Sequence, residues 1–183
     1  MNYHYLRYDI KDGDVLLYKG KGLLSKAIRL LTKSEYSHAG VAVWWHYRLM
    51  VLEAVGKGVV LTPMSKNLKH YKGTVHWFTS KKFISQPKRL RMIDFAQQEL
   101  GKKYSKWKLV ILGYILVFGK NRDKRDKLRK ENSLVCSHYV AQIYNSSGID
   151  LKENVSDAFT LPEDIAKSDK LVYKHSLKYV HYK

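Results

Sequence analysis

Apolar residues follow two different rhythms along this chain, and the change falls near Pro87. Before it, short runs rich in branched and aromatic residues are separated by Gly, Lys and Asn, which is the pattern of strands and turns. Asp14-Val15-Leu16-Leu17-Tyr18 predicts a strand, closed by the turn Lys19-Gly20-Lys21-Gly22. Residues 37–45 (Ser-His-Ala-Gly-Val-Ala-Val-Trp-Trp) and 48–55 predict an antiparallel hairpin turning near His46 and Tyr47, and 58–62 and 74–79 predict two further strands. One helical period interrupts them. Over 23–32 apolar residues fall at Leu23, Leu24, Ala27, Ile28, Leu30 and Leu31, with Lys26, Arg29 and Lys33 interspersed, a short amphipathic helix with a basic face.

After Pro87 the helical rhythm takes over. Leu90, Met92, Ile93, Phe95, Ala96 and Leu100, with Gly101 behind them, predict a helix over 88–100. The most apolar piece opens at Leu109 and runs to Gly119; its eleven residues fall well short of the roughly 20 that span a bilayer. It continues into 120–130, a stretch closing at Lys130 with seven basic residues in eleven. From Tyr139 onward Tyr139, Val140, Ile143 and Tyr144 keep a helical period that Gly148 stops, and this places Cys136 at the front of a helix. Leu161-Pro162-Glu163-Asp164-Ile165-Ala166 predicts a helix start, and 171–182 a last strand. With no repeat, heptad run or Gly-rich phosphate loop, strands first and helices after predict a single α+β domain over residues 1–183.

Composition narrows the classes. The chain carries 34 basic and 16 acidic residues, a formal net charge of +18, which attracts polyanions: anionic lipid, nucleic acid or acidic polymer. One cysteine excludes an internal disulfide and a multi-cysteine zinc site, and it fits a reducing compartment. The first residues, Met1-Asn2-Tyr3-His4-Tyr5-Leu6-Arg7-Tyr8, lack the apolar core of a secretion signal. The expected location is the cytoplasm; the run from Leu109 reads first as a buried helix followed by a solvated basic stretch, and alternatively as an apolar lip that, with the basic run to Lys130, meets an anionic membrane surface.

A lone cysteine near a helix start is ordinarily a small buried hydrophobe. Two other residues change that reading. His38 opens a predicted apolar strand, and Glu53 interrupts Met50-Val51-Leu52 and Ala54-Val55 on the neighbouring strand of the same hairpin. A carboxylate there is costly without a partner, and the hairpin brings the two polar groups within reach of each other. A thiol nucleophile needs a base, and the base needs an orienting group. A first-turn position, with its unpaired N–H groups and dipole, lowers a thiol's pKa. At i+2 of the same helix, His138 points away from Cys136 and is not a candidate base.

The series Gly13-Asp14-Val15-Leu16, Tyr36-Ser37-His38-Ala39-Gly40-Val41, Leu52-Glu53-Ala54-Val55 with Gly58-Val59, Leu100-Gly101-Lys102-Lys103-Tyr104, Val135-Cys136-Ser137 and Leu161-Pro162-Glu163-Asp164-Ile165 resembles the circularly permuted NlpC-type papain-like cysteine hydrolases, a superfamily shared with lecithin retinol acyltransferase. The resemblance runs in order over nearly the whole chain. It implies a permuted papain-like fold, an antiparallel sheet packed against helices, with Cys136 as nucleophile, His38 as base and Glu53 as the orienting residue. Histidine before cysteine is what the permutation implies. The sequence departs from many relatives at His138, two residues after the cysteine, where they carry an acidic residue, and at Ser105, where Asp is more usual.

The expected function is therefore a cysteine-dependent hydrolase or acyltransferase that acts on an amide or ester through an acyl-enzyme, without a cofactor. The resemblance implies a peptide, a cell-wall amide or a lipid acyl group as substrate. The alternative is a catalytically silent member of the fold that binds anionic lipid or nucleic acid. No compact ligand spacing supports a metal site at His38 and Cys136.

Overall fold

A computed structural model of the chain describes residues 2–102 and 136–180. Six antiparallel strands form one sheet: β1 (Val15–Gly20), β2 (His38–Trp45), β3 (Arg48–Val55), β4 (Gly58–Pro63), β5 (Gly73–Ser80) and β6 (Leu171–Leu177). Their spatial order is β4-β3-β2-β1-β5-β6, so β1 and β2 lie at the centre. The helices are α1 (Tyr3–Leu6), α2 (Leu23–Thr32), α3 (Met64–His70), α4 (Gln86–Gln98), α5 (Cys136–Asn145) and α6 (Pro162–Ala166), with a 3-10 turn at Asp157–Phe159. The α+β prediction holds, and so do the hairpin, with His46 at φ 51° in its two-residue turn, and the amphipathic helix at its expected bounds. α1 and α3 are additions. α3 has only seven residues and two apolar positions, Met64 and Leu68, one turn apart after Pro63, too little for a period to be seen. The run between Leu109 and Lys130, with Tyr104 and Ser105, lies outside the described residues.

The strands alternate, so the sheet buries both faces. Val15, Leu17, Ala39, Val41, Leu52 and Ala54 point to one side, where Met92 and Ala96 of α4, Tyr139, Val140, Ile143 and Tyr144 of α5 and Ile165 of α6 complete a core. Leu16, Tyr18, Ala42, Val51 and Trp77 point to the other, under Tyr3 and Leu6 of α1 and Met64 and Leu68 of α3. Helices on both faces let the inner strands bury both sets of side chains, while β6 at one edge leaves Val172, Tyr173 and Lys174 exposed. Two buried hydroxyls pin α5 in this frame: Tyr139 Oη donates to the Ala96 carbonyl and Tyr144 Oη to that of Gly13, each at 2.7 Å. Each satisfies a buried carbonyl that would otherwise cost free energy.

Candidate active site

Register brings the first two candidates together. Gly40 on β2 stands opposite Glu53 on β3, and His38 lies two residues earlier on the same face, a diagonal pair that long side chains can bridge. His38 Nε2 donates to Glu53 Oε2 at 2.7 Å. Glycine between them matters: a Cβ at position 40 would lie 3.0 Å from Val51 Cγ1, 3.1 Å from the Leu52 carbonyl oxygen and 3.3 Å from Glu53 Cβ. The pair is nearly dry, with the His38 and Glu53 side chains 19% and 8% exposed.

Glu53 is held from its other side as well. Asn67 Nδ2 donates to Glu53 Oε1 at 2.7 Å, and Tyr18 Oη donates to Asn67 Oδ1 at 3.1 Å. Tyr18 pairs with His38 across β1 and β2, and the two rings lie 5.0 Å apart at a tilt of 51°. Sequence reasoning missed both residues. Tyr18 reads as one more apolar residue of a strand, and Asn67 sits in the helix whose period is too short to see. The signal available for Asn67 was chemical: a buried carboxylate with two oxygens needs a second donor.

Cys136 arrives from the opposite face of the sheet. It stands in the first turn of α5, where unpaired N–H groups and the helix dipole favour negative charge, and it is 1% exposed. The two halves meet at the start of β2, where the N–H of Ala39, next to His38, hydrogen-bonds to the sulfur together with that of Ser137. With Nε2 committed to Glu53, Nδ1 is the ring nitrogen left for the thiol. The two groups shift in opposite directions. Burial on its own would lower the His38 pKa, but the charge and hydrogen bond of Cys136, then those of Glu53, outweigh it and raise the imidazole to about 10. Burial on its own would raise the Cys136 thiol, but the charge and hydrogen bond of His38, with the two backbone donors, bring it down. Opposite shifts are what a thiolate–imidazolium pair requires.

Other motif residues have structural work. Ser137 Oγ donates to the Thr160 carbonyl, tying α5 to the 3-10 turn. Glu163 Oε2 accepts from the Glu35 N–H at 2.8 Å and from Ser34 Oγ at 3.2 Å, fixing the turn that leads into His38, while Asp164 Oδ2 accepts from the Leu161 N–H and caps α6. Among the described residues no three His, Cys, Asp or Glu side chains come together as a metal-binding group.

Comparison with known proteins bears on the family and the fold. The family model described as permuted papain-like amidase enzyme, YaeF/YiiX, C92 family, matches residues 9–109, more than half of the chain. The stretch takes in His38 and Glu53 and ends before Cys136. No curated protein matches the sequence. Among solved structures, the metalloprotein yiiX from Escherichia coli O157:H7 superposes with a TM-score of 0.69 at 20% identity, over 93% of this chain and 99% of that one. A likeness at that identity speaks for the fold, the permuted papain-like arrangement. That protein is described as a metalloprotein; among the described residues of this chain no three His, Cys, Asp or Glu side chains form a group that could hold a metal ion.

Proposed function

This chain belongs to the permuted papain-like amidase family of the YaeF/YiiX type, C92, and from that premise we propose that it cleaves an amide with Cys136 as nucleophile, His38 as its acid and base, and Glu53 as the group that holds His38 in place. The supporting observation is the contact chain: Glu53 Oε2 at 2.7 Å from His38 Nε2, and the same ring hydrogen-bonded to a thiol at a helix start. In this reading the Cys136 thiolate attacks the carbonyl carbon, and the Cys136 backbone N–H helps to hold the oxyanion. The imidazolium gives its proton to the nitrogen as the C–N bond breaks and the amine leaves. A thioester remains on Cys136. Water, deprotonated by His38, then attacks it, and the carboxylic product departs with the sulfur again paired to the imidazolium.

The substrate this supports first is a peptide or cell-wall amide, because the family is one of amidases. Transfer of the acyl group to an acceptor other than water, and a lipid acyl group as its source, are the finer alternatives. Incubation of the full chain with a panel of amide and ester substrates tests the reading, with intact-mass measurement under acid quench. An acyl adduct on Cys136 and product release that both vanish in Cys136→Ala are expected. Product release that survives Cys136→Ala would overturn the assignment. Adding an amine or alcohol acceptor separates hydrolysis from transfer by the product formed. In the silent-scaffold alternative, binding to anionic lipid or nucleic acid weakens steeply with salt and is indifferent to Cys136.

A further inference from the structure

α2 is mounted inside out. A surface helix ordinarily turns its apolar stripe to the core and its polar side to water. Here the polar side meets the protein: Arg29 Nη1 donates to the Gly20 carbonyl at 3.2 Å, Thr32 is buried with Oγ1 bonded to the Ile28 carbonyl at 2.7 Å, and Ser25 is half-buried against Gly20. The apolar side faces outward, with Leu23 85%, Leu24 68% and Leu30 80% exposed and Ala27 exposed between them. At the helical period Leu23, Ala27 and Leu30 share one face, and Leu24 widens it. The helix carries no acidic residue. Exposed Lys21, Lys26, Lys33 and Lys72 surround it, Lys72 being fixed there by the bond from the Lys21 N–H to its carbonyl at 3.0 Å.

Exposed leucines ringed by lysines match a surface that is itself apolar beneath and anionic at its rim. We propose that α2 docks the protein on an anionic lipid bilayer, its leucines entering the interface and the surrounding lysines meeting the headgroups. The helix forms the connection between β1, which carries Tyr18, and β2, which begins with His38, so docking by α2 sets the candidate active site at the membrane surface. The docking itself rests on α2 and the charge around it, and it stands whether or not the amidase reading does.

Sedimentation of the full chain with vesicles of phosphatidylglycerol and phosphatidylcholine, and of phosphatidylcholine alone, tests this. Binding to the mixed vesicles only, weakening with salt, is expected. A triple variant Leu23→Gln, Leu24→Gln, Leu30→Gln keeps strong helix formers at those positions and should bind roughly tenfold more weakly or worse. Lys21→Ser, Lys26→Ser, Lys33→Ser should weaken it comparably and remove most of its salt dependence. In both variants the melting temperature and Cys136 alkylation should stay as in the parent. Absence of binding to mixed vesicles at low salt overturns the proposal, and so does undiminished binding by the leucine variant. A lower melting temperature in that variant, or the dissociation of a dimer, also overturns it, because the leucines would then be covered by this chain or by a second copy.

Discussion

Cys136 and His38 each owe their charge to the other. The thiol's pKa is lowered chiefly by the imidazolium, so removing the ring leaves burial, the largest influence and one that favours the neutral thiol, opposed only by the Ala39 and Ser137 N–H donors. Alkylation of Cys136 by a small electrophile, followed against pH, should show a midpoint below the roughly 8.5 of a free cysteine. In His38→Ala the midpoint should move above it. The paired form exists above the lowered pKa of Cys136 and below the raised one of His38, about 10. Turnover should therefore rise through the first and fall through the second, a bell read from kcat/KM against pH. Glu53→Gln tests the orienting role. A carboxamide oxygen can still accept from His38, and Asn67 can turn its own amide to accept from the new NH2 group, so the fold should persist and activity fall roughly 10–100-fold. Cys136→Ala and His38→Ala should lose more. His38 and Glu53 were legible because polar groups in apolar strands ask for a reason; Tyr18 and Asn67 were not, since the one resembles its neighbours and the other lies in a helix without a visible period.

Strands β1 to β3 act as a jig for these side chains, and two substitutions separate aligning the site from holding the sheet. Gly40→Ala places a methyl group 3.1 Å from the Leu52 carbonyl oxygen and 3.3 Å from Glu53 Cβ, beside the His38–Glu53 bond. It should cost about 1–3 kcal/mol of stability in a denaturant titration and lower kcat in the protein that remains folded. Asp14, at the other end of β1, is 1% exposed and accepts from the Trp77 indole N–H at 2.8 Å, Thr79 Oγ1 at 2.7 Å and the Lys11 N–H at 3.0 Å. Asp14→Ala strands the buried indole donor and should also cost about 1–3 kcal/mol. It should leave the activity of each folded molecule unchanged. Sequence patterning found most of these elements within two or three residues, because strands buried on one or both faces announce themselves by branched and aromatic runs. It could not show that α2 turns its apolar side outward. The same period serves a helix that faces a core and one that faces a bilayer, and it is the bond from Arg29 to the Gly20 carbonyl and the burial of Thr32 that tell them apart.

At the scale of the whole molecule, the site is assembled from two faces of one sheet. His38 and Glu53 lie on the side covered by α3, Cys136 begins a helix on the other, and they join at the start of β2. The hairpin that pairs His38 with Glu53 is local and was readable from the residues, whereas the approach of Cys136, about eighty residues further on, has no local pattern to announce it. One further contact bears on the order in which the parts are strung. Asn2 forms a parallel bridge with Lys178, and the Tyr3 N–H donates to the Lys178 carbonyl at 2.8 Å. The backbone at Asn2 and that at Lys178 are thus already neighbours, and a short peptide joining these two points would close the stretch between them into a ring. Cutting that ring between Lys102 and Cys136 would yield a chain that starts near the Cys136 helix and reaches His38 afterwards, the reading order of papain itself. Because the contacts and not the order define the site, such a rewired chain should fold to the same sheet and show the same Cys136 alkylation profile against pH.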